Sequence, residues 1–403
     1  MTIKPLHAAA ICHVEAGVVM KKGVVEEFDG YQEIADAIAF SRKYGTDYTA
    51  QRDLADAYVQ RLHPRSLNLR VAEVIPETPH ARTLRLVSTD GALPPFQAGQ
   101  YIALTCEIGR VRTSRPYSIS SPPTETGHYD ITVQRVEEGF VSSHLLEQVK
   151  TGDVLESSGP AGEFTHNPIF HFPSQVMMAG GSGITPFLSM IRETLECGLD
   201  RRITLFYGNR NLASVIRHKE LVQLADRFQN FRYIPVLEKP AKSWQGKQGF
   251  ITGELIRETL GDLSDKTFYL CGPQAMYDFC LPQLESLGIP RKRLRREMYG
   301  LPARIWKCPG WPRGVKGSSV FSVRVNGRAF EAKAGETLLS ALERNGVVVP
   351  SLCRCGECSM CRMRLVSGKV FQPEGVKLRK SDRQFGYIHA CAAFPLADVE
   401  LAL

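Results

Sequence analysis

No uninterrupted apolar run in the 403-residue sequence reaches the ~18 to 20 residues needed to cross a bilayer. The N-terminus also lacks the charged, apolar and cleavage-site segments of a secretory signal. The expectation is a soluble, cytoplasmic chain with no membrane span. Repeats and low-complexity tracts are missing too. With 43% hydrophobic and 23% charged residues, 34 Gly and 24 Pro, the composition excludes wholesale disorder, collagen and coiled coil. Neither charge sign dominates: 50 Lys plus Arg against 42 Asp plus Glu leave +8. That excess is too diffuse for nucleic-acid binding, although it suits steering toward an acidic partner. The length allows roughly two to four domains at about 100 to 200 residues each.

What the sequence does have is an uneven distribution of thiols. Of 11 cysteines, Cys353, Cys355, Cys358 and Cys361 fall within nine residues near one end. In a cytosolic chain such crowding reads as metal ligation, not as a disulfide framework.

Residues 1–64 form an Ala-rich, partly helical extension, with apolar periodicity in Ile34, Ile38 and Phe40 and again in Leu54, Ala57, Tyr58 and Leu62, stopped by Pro64. Cys12, His13 and His7 in it read as ordinary terminal residues. Over 65–171, β-rich runs (LNLRVAEVI, TLRLVS, YIALTCEI, YDITVQRV) separated by Pro and Gly turns predict an antiparallel barrel. From 172 to 300, apolar strands (QVMMAG, ITLFYG, YIPVL, TFYLCG) alternate with helical stretches, the pattern of a parallel sheet with crossover helices. Residues 301–318 read as an irregular linker. Residues 319–403 open with a hairpin about Asn326-Gly327, then a helix at TLLSALERNG and the cysteine loop.

Cys353, Cys358, Cys361 and Cys391 stand as C-x4-C-x2-C with a fourth cysteine after 29 residues, the plant-type [2Fe-2S] spacing. Gly356 allows the loop backbone to approach the sulfides. A zinc site is the alternative, though zinc favours C-x2-C pairs at both ends. Cys355 is left over as a loop thiol beside the cluster.

By these residues 319–403 resemble a plant-type ferredoxin domain of α+β, β-grasp fold, and what precedes them resembles the ferredoxin-NADP+ reductase superfamily: an antiparallel β-barrel FAD domain, then an α/β nucleotide domain. The resemblance implies that Arg115-Pro116-Tyr117-Ser118 matches the flavin motif R-x-Y-S, with the Arg on the pyrophosphate, the Tyr against the isoalloxazine and the Ser toward N5. Gly139-Phe140-Val141-Ser142 with Leu145 matches G-x-x-S-x-x-L at a helix start, whose N–H groups and dipole suit a diphosphate and hence FAD over FMN. Gly159 to Phe164 resembles a structural turn before the second domain.

Gly181, Gly183, Thr185 and Pro186 follow a strand and begin a helix, as a nicotinamide dinucleotide's diphosphate requires. Asn209 and Arg210, and Cys271, Gly272 and Pro273, match further nucleotide-side motifs, with Cys271 beside the nicotinamide. Glu297-Met298-Tyr299 resembles the acidic and aromatic end of the module; a solvated Glu after the basic run 291–296 is the alternative. Ser118, Cys271 and Glu297 are the catalytic candidates. Arg210, Arg217 and Lys219 leave NADH against NADPH open, leaning to NADH.

The implied activity is that of an NAD(P)H:acceptor oxidoreductase passing electrons through FAD to the cluster and on to a separate oxygenase or hydroxylase, as in reductase components resembling that of phenylacetyl-CoA epoxidase. With 12 Lys plus Arg against 8 Asp plus Glu in 319–403, an acidic docking face on that partner is expected. Alternatives are a non-oxygenase acceptor (hydroxylamine reductase, desaturase or demethylase) or a redox-sensing interaction protein.

Overall fold

The computed structural model describes residues 26, 28–45, 52–302 and 304–403. Cys12, His13 and His7 lie outside them, as does the Leu54 side chain. The chain forms two compact units, Met1–Gln60 and Arg61–Leu403. In the first, α1 (Tyr31–Tyr44) has no buried residue, and Ile34 and Phe40 are well exposed. Its periodicity therefore covers no core among the described residues. A second helix, α2, spans Arg52–Leu62.

The larger unit begins with six antiparallel strands: β1 (Leu67–Thr78), β2 (Ala81–Ser88), β3 (Tyr101–Ile108), β4 (Val111–Ser118), β5 (Tyr129–Gln134) and, after helix α3 (Phe140–Glu147), β6 (Val154–Ser157). They lie in the order β4-β3-β6-β1-β2-β5, and an antiparallel bridge Ile119↔Ile131 brings the two edges together. Alternation along β1 and β2 puts Leu69, Val71, Leu84 and Leu86 inside, each contributing about 1.5–3 kcal/mol. Strand β4 was not among the expected runs. Its sequence, VRTSRPYS, carries few apolar residues because its inward groups serve a site, not the core.

Six parallel strands follow: β7 (Ser174–Gly180), β8 (Arg202–Asn209), β9 (Phe231–Leu237), β10 (Lys247–Gln248), β11 (Lys266–Gly272) and β12 (Leu294–Met298). Helices α4 (Thr185–Glu196), α5 (His218–Arg227), α6 (Gly253–Leu260) and α7 (Gln274–Ser286) make the crossovers. The order β10-β9-β8-β7-β11-β12 reverses between β7 and β11. A crevice forms there, at the carboxyl ends of the strands, where parallel α/β sheets bind ligands. The core is continuous with the barrel: Ala81, Ala98 and Phe164 pack with Phe187 and Met190 of α4. Arg192, held by Glu220 of α5, donates to the Ser120 carbonyl, and Arg217 pairs with Glu77 at 2.7 Å; these two contacts tie the domains together.

The last domain has β13 (Val320–Val325), β14 (Arg328–Lys333), α8 (Leu338–Arg344), β15 (Arg362–Ser367), β16 (Val370–Phe371), α9 (Lys380–Gln384), β17 (Tyr387–His389), β18 (Phe394–Pro395) and β19 (Val399–Ala402). A mixed sheet, β14-β13-β19-β15-β17, packs its apolar face on α8 through Val323, Leu338, Leu342 and Leu401. The hairpin turns at Asn326 (φ 48°) and Gly327 (φ 74°), the left-handed pair this dipeptide favours.

Candidate functional site

A cavity of about 530 Å³ opens where the three domains of the larger unit meet. Arg115, Pro116, Tyr117 and Ser118 from β4, Gly139 through Ser142 at the start of α3, Thr185 from α4 and Cys391 all line it. Four motifs distant in sequence thus reach one space.

Pairing with β3 fixes the motif on β4 (Leu104↔Arg115, Tyr101↔Ser118). Arg115 donates to the Thr113 hydroxyl and the Ser114 carbonyl, both at 2.7 Å. Burial, and then the neighbouring Arg354 charge, hold its guanidinium down at about 10. Burial pushes the Tyr117 phenol up. Ser118 is 3% exposed. Its hydroxyl donates to Glu297 Oε2 at 3.2 Å and meets the Tyr299 hydroxyl at 2.9 Å. Tyr299 in turn reaches Thr185 Oγ1 at 3.1 Å.

Glu297 is therefore not the solvated strand end allowed as an alternative. Parallel pairing of β12 with β11 (Cys271↔Glu297) points it at Ser118, and burial pushes its carboxyl up to about 8, opposed by the Ser118 hydrogen bond and reinforced by the Glu357 charge. A neutral acid results near pH 7.

At α3 the Ser142 hydroxyl accepts from the Val136 N–H and donates to the Gly139 carbonyl. Ser142 is committed to shaping the turn, which leaves the helix start itself to face the cavity.

On the nucleotide side, Gly181 (φ 52°) and Gly183 form a 3-10 turn that leads into α4, with Pro186 in its first turn. A Cβ on Gly183 would lie 2.2 Å from the Cys271 carbonyl oxygen. Only glycine lets the turn close on β11. Cys271 is fully buried, and burial pushes its thiol up, opposed by the Tyr299 and Tyr277 hydroxyls. Gly272 ends β11 and Pro273 caps α7. Asn209, which ends β8, and Arg210 after it stand apart from the cavity, and the buried Asn209 Nδ2 has no hydrogen-bond partner among the described residues. Arg217, weighed above as a ribose-side cation, is instead engaged by Glu77 and Glu220.

The cysteine loop needs left-handed backbone at Arg354, Gly356 and Ser359. It turns the N–H groups of Glu357 and Cys358 toward Cys353 Sγ (3.4 and 3.3 Å), while Cys391 N–H points at Cys361 Sγ (3.4 Å). The neighbouring Cys355, Cys358 and Cys391 thiols push the Cys353 thiol down, and Cys391 lowers Cys361. Converging sulfurs with backbone donors fit a [2Fe-2S] cluster.

Motif reading singled out Tyr299 only as an aromatic end. Thr113, Gln134 (accepting from Ser182 N–H at 2.8 Å), Glu343 and Arg354 were missed, because single polar residues on a strand or helix carry no spacing signal.

Family models match in order along the chain: an oxidoreductase FAD-binding domain at 67–166, an oxidoreductase NAD-binding domain at 177–281 and a 2Fe-2S iron-sulfur cluster binding domain at 323–396. NADH oxidoreductase HCR of Escherichia coli is 32% identical over 83% of this chain and 97% of its own. The glycine betaine monooxygenase reductase subunit of Pseudomonas aeruginosa is 27% identical over 82% and 93%. Among solved structures, phthalate dioxygenase reductase superposes with a TM-score of 0.61 at 26% identity, covering 84% of this chain and 97% of that one. Fold, cavity and relatives agree: this chain belongs to the family of modular NAD(P)H-dependent oxidoreductases that carry FAD, a nicotinamide-binding domain and a [2Fe-2S] ferredoxin domain on one polypeptide.

Proposed function

We propose that this protein is the reductase component of a multicomponent oxygenase, drawing on NADH and handing single electrons to a separate partner. The observation that carries this reading is the shared cavity, which Ser118, Thr185 and the cluster-loop neighbour Cys391 all line. The bound cofactors supply hydride transfer from nicotinamide to flavin and one-electron transfer from flavin to the iron-sulfur centre.

The chain's own residues bind and orient. Arg115 and the α3 start at Gly139 would hold the diphosphate of FAD, and Tyr117 would offer its ring to the isoalloxazine. The turn Gly181–Pro186, with Asn209, Arg210, Gly272 and Pro273, holds the nicotinamide dinucleotide at the sheet's switch point. Ser118 and Glu297 hold or move a proton at the site, which the raised Glu297 acid supports. Cys271 positions the nicotinamide side, and Cys353, Cys358, Cys361 and Cys391 ligate the cluster. Engagement of Arg217 by Glu77 removes one cation from a 2′-phosphate and favours NADH, as does the name of the Escherichia coli relative. Residues 65–171, 172–300 and 319–403 act as the flavin, nicotinamide and cluster modules. The basic excess of 319–403 suits an acidic face on the partner.

Anaerobic titration with NADH and, separately, NADPH tests the electron path. NADH is expected to bleach the flavin and cluster bands together; an oxidised cluster beside reduced flavin sinks the internal transfer.

A further inference from the structure

The ferredoxin domain touches the barrel through a small set of polar groups that no motif announces. Glu343 on α8 and Arg354, the residue after Cys353, form a two-pronged ion pair at 2.6 and 2.9 Å, with side chains only 7% and 9% exposed. Thr113 of β4 donates to the same carboxylate, Oγ1 to Glu343 Oε2 at 2.9 Å. Thr113 Oγ1 also accepts from Arg115 at 2.7 Å. One hydroxyl thus uses its donor on the ferredoxin domain and its acceptor on the flavin-motif arginine. Beside it, Ser114 Oγ meets Ser351 Oγ at 3.1 Å.

We propose that Thr113 and the Glu343–Arg354 pair form an interdomain latch, with Thr113 the positioning residue that registers the cluster loop against the flavin cavity. The chemistry is specific. A buried carboxylate with one basic partner keeps lone pairs to satisfy, and the Thr113 hydroxyl satisfies one only while the domains are docked. Two arginines, Arg115 and Arg354, also face each other across this contact, and Arg115 is held down partly by that charge. Glu343 between them offsets the repulsion, so separating the domains leaves Arg115 and Thr113 without that carboxylate. Because Arg354 lines the cavity and follows a cluster ligand, register at the latch sets how the loop meets the cavity.

The inference rests on the electron path proposed above, but its test does not. Amide hydrogen exchange of the full-length holoprotein reads undocking directly, at β4 and α8, even when the open fraction is small. In Thr113→Val, which keeps shape and removes the hydroxyl, exchange in these two segments should rise by about tenfold, the equivalent of one hydrogen bond to a charged group. Thr113→Ser should restore it, and β1 and β2 should exchange as in the parent, separating the latch from general weakening of the barrel. Stopped-flow bleaching in Thr113→Val should then slow at the cluster band and not at the flavin band, with cluster EPR unchanged. Parental exchange at β4 and α8 in Thr113→Val overturns the proposal, as does equal acceleration across β1 and β2. Failure of NADH to reduce the cluster in the parent would instead count against the electron path.

Discussion

Gly183→Ala is the sharpest perturbation the geometry offers. The added methyl would sit 2.2 Å from the Cys271 carbonyl oxygen, 2.5 Å from its carbonyl carbon and 2.8 Å from Gly272 Cα, all backbone of β11. An ordinary carbon–oxygen contact is longer by about 1 Å, so something has to move. Strand β11 is paired on both sides, by β7 and β12, and does not yield cheaply. The 3-10 turn moves instead. With it go Ser182, whose N–H is held by Gln134, and Thr185, whose hydroxyl meets Tyr299. Overpacking of this kind costs about 1–3 kcal/mol of stability. Displacing a substrate-positioning turn by ~1 Å costs on the order of 100-fold in rate. The expected variant therefore folds, keeps flavin and iron and is reduced normally by dithionite, but its kcat/KM for flavin reduction by NADH falls about 100-fold. Gly208→Ala is the control, since its methyl meets nothing closer than 3.5 Å. Rapid-mixing absorbance at the flavin band measures both. A Gly183→Ala protein reduced by NADH at the parental rate refutes the reasoning.

Three other outcomes are expected. Glu297 has a folded-state value of about 8 against an ordinary 4.5, so the folded protein keeps a proton that the unfolded chain releases; stability is full below about 4.5 and declines as pH rises through 8. Glu297→Gln should flatten that decline in Tm and abolish any step near pH 8 in flavin reduction, and an unchanged profile would show that the titrating group lies elsewhere. Cys391→Ser should lose iron and the cluster absorption while NADH still bleaches flavin; full iron content in this variant would remove Cys391 from the ligand set. Arg217→Ala removes the cation paired with the Glu77 carboxylate, 5% exposed and otherwise held by the Thr83 hydroxyl, and should lower stability by about 1–3 kcal/mol with the NADH to NADPH ratio unchanged, whereas a shift in that ratio would return Arg217 to the ribose site.

The sequence determined the parts that local covalent spacing can encode. Three cysteines in one tight loop, a glycine turn between an apolar strand and a helix, and Asn326-Gly327 between two strands each depend on residues within a few positions of one another. Backbone sterics and ligand reach are settled at that range. The tertiary structure alone decided which distant groups meet. Glu297 follows a run of arginines, and its motif alone leaves a site acid and a solvated strand end both open; the register of β12 against β11 turns it onto Ser118, 179 residues away. Arg217 stands in sequence where a ribose-side cation is plausible, yet the packing of α5 on the barrel gives it to Glu77. The apolar spacing of α1 reads only as helical, and the described helix buries none of those side chains. Thr113 is one polar residue in a strand until α8 brings Glu343 to it, 230 residues on. Hydrogen bonds and ion pairs act over about 3 Å, and no pattern along the chain records which side chains folding will bring that close.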